Sequence, residues 1–390
     1  MQQATQIELV QRLQAYLDNN TTGMGTGVHT NNIQTYLSEA QFKQEQQTLF
    51  RNYPILVCYS SQVARPGDYF THHETGVPIL VTRARDGKVR AFMNVCSHRR
   101  AKVATERCGH TTSVLHCPYH AWAFDLEGKL VSMPDEFGFD TLNKQDLGLV
   151  ELPAAEAYGT VWVRPSPGEA VDMGKFLGPI HDELSNFGTE RWVHFRTIEM
   201  RKKMNWKLMV DAFLEFYHFR FLHQSSIGPL FLNNITAFDP FDAHARIIGA
   251  NKTIRQLEPG KEQEWRLQDH ALVLYMIFPN TAFIHVKDHV ITLTVFPDEG
   301  RIDRAMVRMS FLIPEAPASA SAEQHWGTQA DLLEQVTEED FEMGEDIQAG
   351  LAAGGQQEVY YGKVEPALHH YHSTIRRELG ITMPAAARSA

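Results

Sequence analysis

Cysteine is scarce in this chain: four residues in 390, Cys58, Cys96, Cys108 and Cys117. That excludes the dense disulfide framework of a small secreted domain, and a reducing compartment is expected. Long apolar runs are missing too, since none approaches the roughly 20 residues a membrane-spanning helix needs. The polar start MQQATQIELVQRLQAYLDNN lacks the charged-then-apolar layout of a secretory signal, so a cytoplasmic chain without a membrane partner is expected. No basic run offers an electrostatic footprint for nucleic acid, and the formal net charge is −11. A G-x-G-x-x-G between strand and helix is absent, as is a ferredoxin-type cysteine set, so no reductase is encoded here.

What is present is ordinary globular material, 43% hydrophobic, enough for substantial cores in one large or two smaller domains. Residues 8–18 and 38–50 carry helical apolar spacing, separated by the glycine-rich TTGMGTGVHTNN. From about Tyr53 the pattern turns to short runs of Val, Ile, Phe and Tyr, with Asp86-Gly87 and Glu127-Gly128 as hairpin signals. Residues 51–165 therefore read as all-β, up to the RPSPGEAVD boundary. Beyond it come a helical piece, a strand (WVHFRTIEMRKKM), a helix over Asn205–His223 and a series of alternating strands suggesting an antiparallel sheet. Helices near 322–351 and 366–379 close the chain. The fold class is α+β: an all-β domain at 51–165 and a helix-covered antiparallel sheet at 166–390, on which residues 1–50 pack.

Two groups of residues carry chemistry. Cys96-x-His98 and Cys117-x-x-His120 place one thiol and one imidazole on each of two loops, both expected at hairpin tips. Two cysteines and two histidines suit a closed tetrahedral zinc site. They equally suit a Rieske [2Fe-2S] cluster, whose two irons take the cysteines and the histidines respectively. Zinc modules usually pair Cys with Cys and His with His, so the mixed pairs favour the cluster, with zinc the rival. Cys58, in ILVCYS, reads as a core thiol and Cys108, in ERCGH, as a turn residue.

The second group lies in NWKLMVDAFLEFYHFRFLH, residues 205–223. His218 and His223, with a carboxylate from far along the chain, form the two-imidazole, one-carboxylate set that suits ferrous iron and leaves positions for dioxygen. At roughly 100° per residue the two histidines diverge by about 140° on a regular helix. The helix must therefore end, bend or carry a π-bulge between them. Glu215, three residues before His218, shares its face.

CSHRRAKV and CPYHAW resemble the two cluster loops of Rieske non-haem iron oxygenases, and NWK…D…EFYH…H is similar to their iron-binding helix. The resemblance, to the large (alpha) terminal oxygenase subunit of the aromatic-ring-hydroxylating dioxygenase family, covers roughly residues 45–380. It implies a [2Fe-2S] cluster on Cys96, His98, Cys117 and His120, and a mononuclear Fe(II) on His218 and His223. The segment TEEDFEMGEDIQAGL resembles the family's acidic ligand region and makes Asp340 the third ligand. Glu215 stands where most members have an aspartate that bridges to the cluster histidine of a neighbouring subunit. Arg100 and Ala121 stand where the family often has glycine.

The implied partners are a reductase or ferredoxin that relays NAD(P)H electrons, a homotrimer, possibly with small β-subunits, and O2 with a small-molecule substrate. The implied reaction is hydroxylation, cis-dihydroxylation or oxidative dealkylation. The rivals are a Rieske electron carrier with a non-catalytic second metal site, and an oxygenase of quaternary amines. The pocket is expected from Phe213, Leu214, Phe219 and Leu222 with Leu274, Met276, Phe278 and Asn280, an apolar set favouring an aromatic substrate. Asp211 is expected to support the site indirectly, and His369, His370 and His372 to lie on the surface of a terminal helix.

Overall fold

The computed structural model describes residues 1–382, and these fall into two compact units. One holds Phe50–Phe195 with Leu312–Ala316; the other holds Met1–Leu49, Arg196–Phe311 and the described residues from Pro317. No described helix is long and apolar enough to cross a membrane.

The first unit is built from three antiparallel sheets. Strand Ile79–Arg83 pairs with Asp68–His72 on one side and, through the Asp86-Gly87 turn, with Val89–Met93 on the other, and Gly87 takes a left-handed φ of 79°. Val114–His116 and Ala123–Asp125 form a second hairpin, so Cys117 and His120 do sit at its tip. Cys96 and His98 do not. They lie on the connection from Val89–Met93 to Cys108–His110, a strand that pairs with Asp68–His72 instead. Cys108 is thus an exposed strand residue, not a turn residue, while Cys58 is fully buried.

This unit runs on to Phe195 rather than ending near residue 165. The Thr189 hydroxyl donates to the Tyr158 carbonyl at 3.0 Å, and the His194 N–H donates to Ser61 Oγ at 2.8 Å. The proline and glycine cluster at 165–168 is a turn within the unit.

The second unit is organised by a seven-stranded antiparallel sheet of β1 (Val193–Lys202), β2 (Phe231–Phe241), β3 (His244–Asn251), β4 (Ala271–Ile277), β5 (Thr281–His285), β6 (Val290–Pro297) and β7 (Ala305–Ile313), in the order β1-β7-β6-β5-β4-β3-β2. Strands β3 to β7 are buried along almost their whole length, so they read as near-continuous apolar runs. The glycine-rich N-terminal loop ends in a short strand, His29–Asn32, paired with Glu358–Tyr361 across most of the sequence.

Where one helix is expected over 205–223, two short ones form: α1 (Trp206–Asp211) and α2 (Phe219–Leu222). Asn205 caps α1 by accepting the Lys207 N–H at 2.9 Å. The break lies before His218, not between the histidines, and no π-bulge occurs. Its cause is Glu215, whose carboxylate accepts the N–H groups of Tyr217 and His218 and so starts a new turn. Phe216 lies against Gly249 of β3 so closely that a Cβ there would meet its ring at 2.3 Å. Two long helices complete the unit, α3 (Ala320–Ala353), capped by Ser319, and α4 (Pro366–Leu379).

Candidate metal centres

In the first unit the two cluster loops repeat one backbone device. The residue four after each cysteine, Arg100 and Ala121, adopts a left-handed conformation with φ of 66° and 55°. Each donates its N–H to the cysteine carbonyl, at 3.0 and 2.9 Å, while the cysteine N–H donates to the next carbonyl, of Ala101 or Trp122, at 2.8 and 2.9 Å. These are the two positions where the sequence departs from glycine, and the conformation explains why glycine suits them.

Cys96 and Cys117 are both buried, and His98 stacks on Trp122 with ring centroids 4.7 Å apart. The His98 and His120 rings lie 4.6 Å apart, and His98 Nδ1 is buried without a hydrogen-bond partner. Burial pushes the Cys96 thiol up, and the neighbouring Cys117 thiol adds to this, while backbone N–H groups of His98 and Arg99 pull the other way. A cation at the thiols removes that penalty. The four donors do not gather within 4.8 Å of one another as a single ion requires. That spread fits a two-iron cluster and disfavours tetrahedral zinc.

In the second unit, His218 leads into α2, His223 ends it, and their rings lie 5.1 Å apart. Asp340, near the middle of α3, points Oδ1 to 3.3 Å from His218 Nε2 and 3.0 Å from His223 Nε2. These three atoms are buried and without hydrogen-bond partners, and among the described residues this is the one group of three or more donors within 4.8 Å. Orphaned buried donors are costly unless a cation joins them. The donor set fits a divalent iron with open positions.

The far nitrogen of each imidazole is held by a carboxylate. Glu215 binds His218 Nδ1, and Glu339 binds His223 Nδ1 at 2.6 Å while accepting the Ser226 hydroxyl at 2.7 Å. Burial alone would lower His218, but Asp340 and Glu215 outweigh it and raise it to about 10. The same balance raises His223, against burial, through Asp340 and Glu339. Asp340 is pushed up by burial and, more strongly, down by the two histidines. The whole site favours positive charge.

Two cavities flank this centre. One, of about 90 Å³, lies between α2, α3 and the sheet, and Phe213, Phe216, Phe219, Leu272, Leu274 and Ile284 are among its lining residues. Of the residues expected there, Phe213, Phe219 and Leu274 do line it. Leu214 is buried but does not line it, and Leu222 faces the other cavity. Met276, Phe278 and Asn280 are buried further along the chain: Phe278 packs on Tyr371, and Asn280 donates to the Val295 carbonyl. Sequence parity along β4 identified Leu274 but not where the cavity stops. Leu333, Val336 and Thr337 of α3 and Ile284 across the β4–β5 pairing were missed. Only the register Leu274↔Ile284 places that last residue, and sequence does not state it.

The other cavity, of about 280 Å³, reaches the opposite side of the centre through Glu215, His218 and Asp340 and opens among the exposed Met343, Ile347 and Tyr360. Asp211 lines it without approaching the three donors. It accepts from Tyr36 at 2.6 Å and pairs with His372 at 2.8 Å. His372 is therefore buried, not a surface residue. His369 stacks on His29, and His370 bonds the His244 carbonyl.

Comparison with known proteins follows the same division. A family model described as Rieske [2Fe-2S] domain matches residues 53–143, and one described as ring hydroxylating alpha subunit (catalytic domain) matches 189–381. The carnitine monooxygenase oxygenase subunit of Acinetobacter baumannii is 31% identical over 195 residues, 47% of this chain and 49% of the relative. The chain thus spans about half the length of that relative. The chloroplastic choline monooxygenase of Spinacia oleracea is 25% identical over 360 residues, 90% of this chain and 78% of the relative. A crystal structure of a quaternary ammonium Rieske monooxygenase superposes with a TM-score of 0.78 at 20% identity, covering 90% of this chain and 96% of the other, which shows a shared fold. The cofactors of this domain pair are a Rieske [2Fe-2S] cluster and a mononuclear iron. With both domains present in this order, the chain belongs to the Rieske-type ring-hydroxylating oxygenases, as an alpha subunit.

Proposed function

We propose that this chain is a terminal oxygenase that takes electrons from a separate reductase or ferredoxin and oxygenates a small molecule beside a mononuclear iron. The observation that carries the reading is the convergence of His218 Nε2, His223 Nε2 and Asp340 Oδ1, all buried and otherwise unpartnered. Cys96 and Cys117 would hold one iron of the cluster and His98 and His120 the other. When bound, the cluster supplies electrons singly and the iron supplies dioxygen binding and activation.

The chain's own residues do the positioning. Glu215 and Glu339 fix the two imidazoles with Nδ1 protonated, which turns both Nε2 atoms toward Asp340. The phenylalanine-walled cavity excludes water and seats the reacting end of the substrate. Its apolar wall supports an apolar or aromatic group. A second reading, a quaternary amine, draws on the relatives and on the rings of Phe213, Phe216 and Phe219, which can face a cation.

Glu215 lines the opposite cavity, whose rim exposes Met343, Ile347 and Tyr360. That apolar rim supports docking of a second copy in a head-to-tail trimer, with Glu215 as the bridge to the partner's cluster. Mixing Cys96→Ala with His218→Ala chains tests this: partial restoration of activity is expected, and no restoration in verified mixed oligomers refutes it. The oxygenase reading is tested by anaerobic reduction, addition of nitric oxide and electron paramagnetic resonance. A Rieske signal with a ferrous nitrosyl signal is expected. A Rieske signal alone, in iron-replete protein, leaves only the electron carrier.

A further inference from the structure

Beyond the cavity beside the three donors lies another, of about 240 Å³, lined by Phe219, Arg220, Gly228, Phe231, Leu232 and Lys252, with Asn233. Phe219 belongs to both walls and so adjoins the outer cavity as well as the inner one. Ile227 faces inward and its neighbour Gly228 outward. The Gly228 N–H donates to the His223 carbonyl at 2.9 Å, and a Cβ there would meet the His223 and Phe219 carbonyl oxygens at 2.6 and 2.8 Å. The loop is thereby pinned to the turn that carries both histidines, and whatever fills the outer cavity abuts that turn.

The charge in this outer cavity is one-sided. Arg220 and Lys252 line it, no acidic residue does, and neither cation pairs with a carboxylate among the described residues. Arg220 is held in place by its guanidinium carbon, 4.3 Å from the Phe221 ring centroid. Most other arginines lining or bordering this unit's features are paired, as Arg12 and Arg246 are with Asp239. The inner cavity, by contrast, has no arginine or lysine in its wall, and its ionisable side chains are the metal-site residues His223 and Asp340 with the Glu215 carboxylate. Its one hydroxyl, Thr337, donates to the Leu333 carbonyl of its own helix. Away from the metal site an anionic group therefore meets carboxylates inside and two cations outside, while an apolar group fits among the phenylalanines inside.

We propose that the substrate is an amphipathic carboxylate, its carboxylate held by Arg220 and Lys252 and its other end passing Phe219 into the inner cavity. This rests on the oxygenase reading for the identity of the inner cavity as the reaction site. A planar guanidinium and an ammonium together suit a carboxylate. The substrate's length is set by the passage past Phe219, and the reacting carbon is the one remote from the charge.

The test is binding by calorimetry to the fully loaded protein, which needs no turnover. Two matched pairs serve as probes: 3-phenylpropionate against 3-phenylpropionamide, and L-carnitine against its primary amide, so that the head is varied on an apolar and on a cationic tail. In at least one pair the carboxylate should bind on the order of 10-fold tighter or more, the yield of one charge-assisted contact. In the Arg220→Gln/Lys252→Gln variant, whose altered side chains are exposed, that preference should vanish while both paramagnetic signals persist. No carboxylate preference in either pair, no binding of either carboxylate, or a preference that survives the double variant overturns the proposal. Loss of the Rieske or nitrosyl signal in the unaltered protein strikes instead at the oxygenase reading, since the binding preference is measured independently of it.

Discussion

Replacing Glu339 by glutamine isolates the part a single carboxylate plays in holding iron. Glu339 Oε2 lies 2.6 Å from His223 Nδ1 and 2.7 Å from Ser226 Oγ, and Oε1 accepts from Gln335 at 3.2 Å. Glutamine keeps the volume but removes the charge, and one of its ends becomes a donor that cannot serve these three donors at once. A charge-assisted bond, about 1.5–3 kcal/mol, falls to a neutral one of about 0.5–1.5 kcal/mol. The difference passes to the metal, because the bond fixes both the tautomer and the direction of His223. Iron affinity should drop by roughly 10- to 100-fold, the range found for such supporting carboxylates.

The assay is anaerobic competition of Fe(II) against a chelator, with the nitrosyl line shape as a second readout. Glu338→Gln is the control: Glu338 pairs with Lys202 and has its side chain 42% exposed, so affinity should hold. An affinity within about 2-fold of the unaltered protein for Glu339→Gln, with the fold intact, refutes the reasoning.

Three further outcomes are expected. Ala121→Gly relieves a left-handed residue at φ 55° and should raise the unfolding free energy by about 0.5–1 kcal/mol with cluster absorbance retained, whereas Ala121→Val should lower both. Glu45→Gln breaks an ion pair with Lys207 at 2.7 Å in which both side chains are fully buried, and denaturant titration should show a loss of about 3–5 kcal/mol. His285 is held down by burial, with help from nearby positive charge, from an ordinary 6.5 to about 4. The unfolded chain takes up that proton first, so stability should fall by up to about 3 kcal/mol as pH drops from about 6.5 to 4, and level off below. His285→Gln should flatten that limb of the pH profile; an unchanged limb assigns it to other groups.

The cluster loops were legible because their chemistry is local: each cysteine and histidine are two or three residues apart, and hairpin signals surround them. The same holds for His218 and His223. Glu339 was not legible, since it sits in a run of acids where only the direction of α3 separates the residue facing His223 from those facing solvent. The break in the central helix was expected from the 140° divergence, yet it falls earlier, because Glu215 competes for backbone N–H groups that the periodicity assigns to a helix. The pairing of His29–Asn32 with Glu358–Tyr361 joins the two ends of the chain, and no short-range pattern announces such a partner. For the same reason Leu274 could be placed on the cavity by strand parity, while Ile284 depended on a register that only the folded sheet supplies.

Glu339 and Asp340 are consecutive on α3, yet they grip opposite edges of one imidazole, at Nδ1 and Nε2 of His223. A helix can rotate or slide only as a rigid rod, so neither grip can loosen alone. Iron release and the lifting of α3 from its bed then become the same event. Metal should leave no faster than the helix opens, and hydrogen exchange at the amides around residues 336–344 should slow on iron loading by the factor that the metal's own free energy dictates.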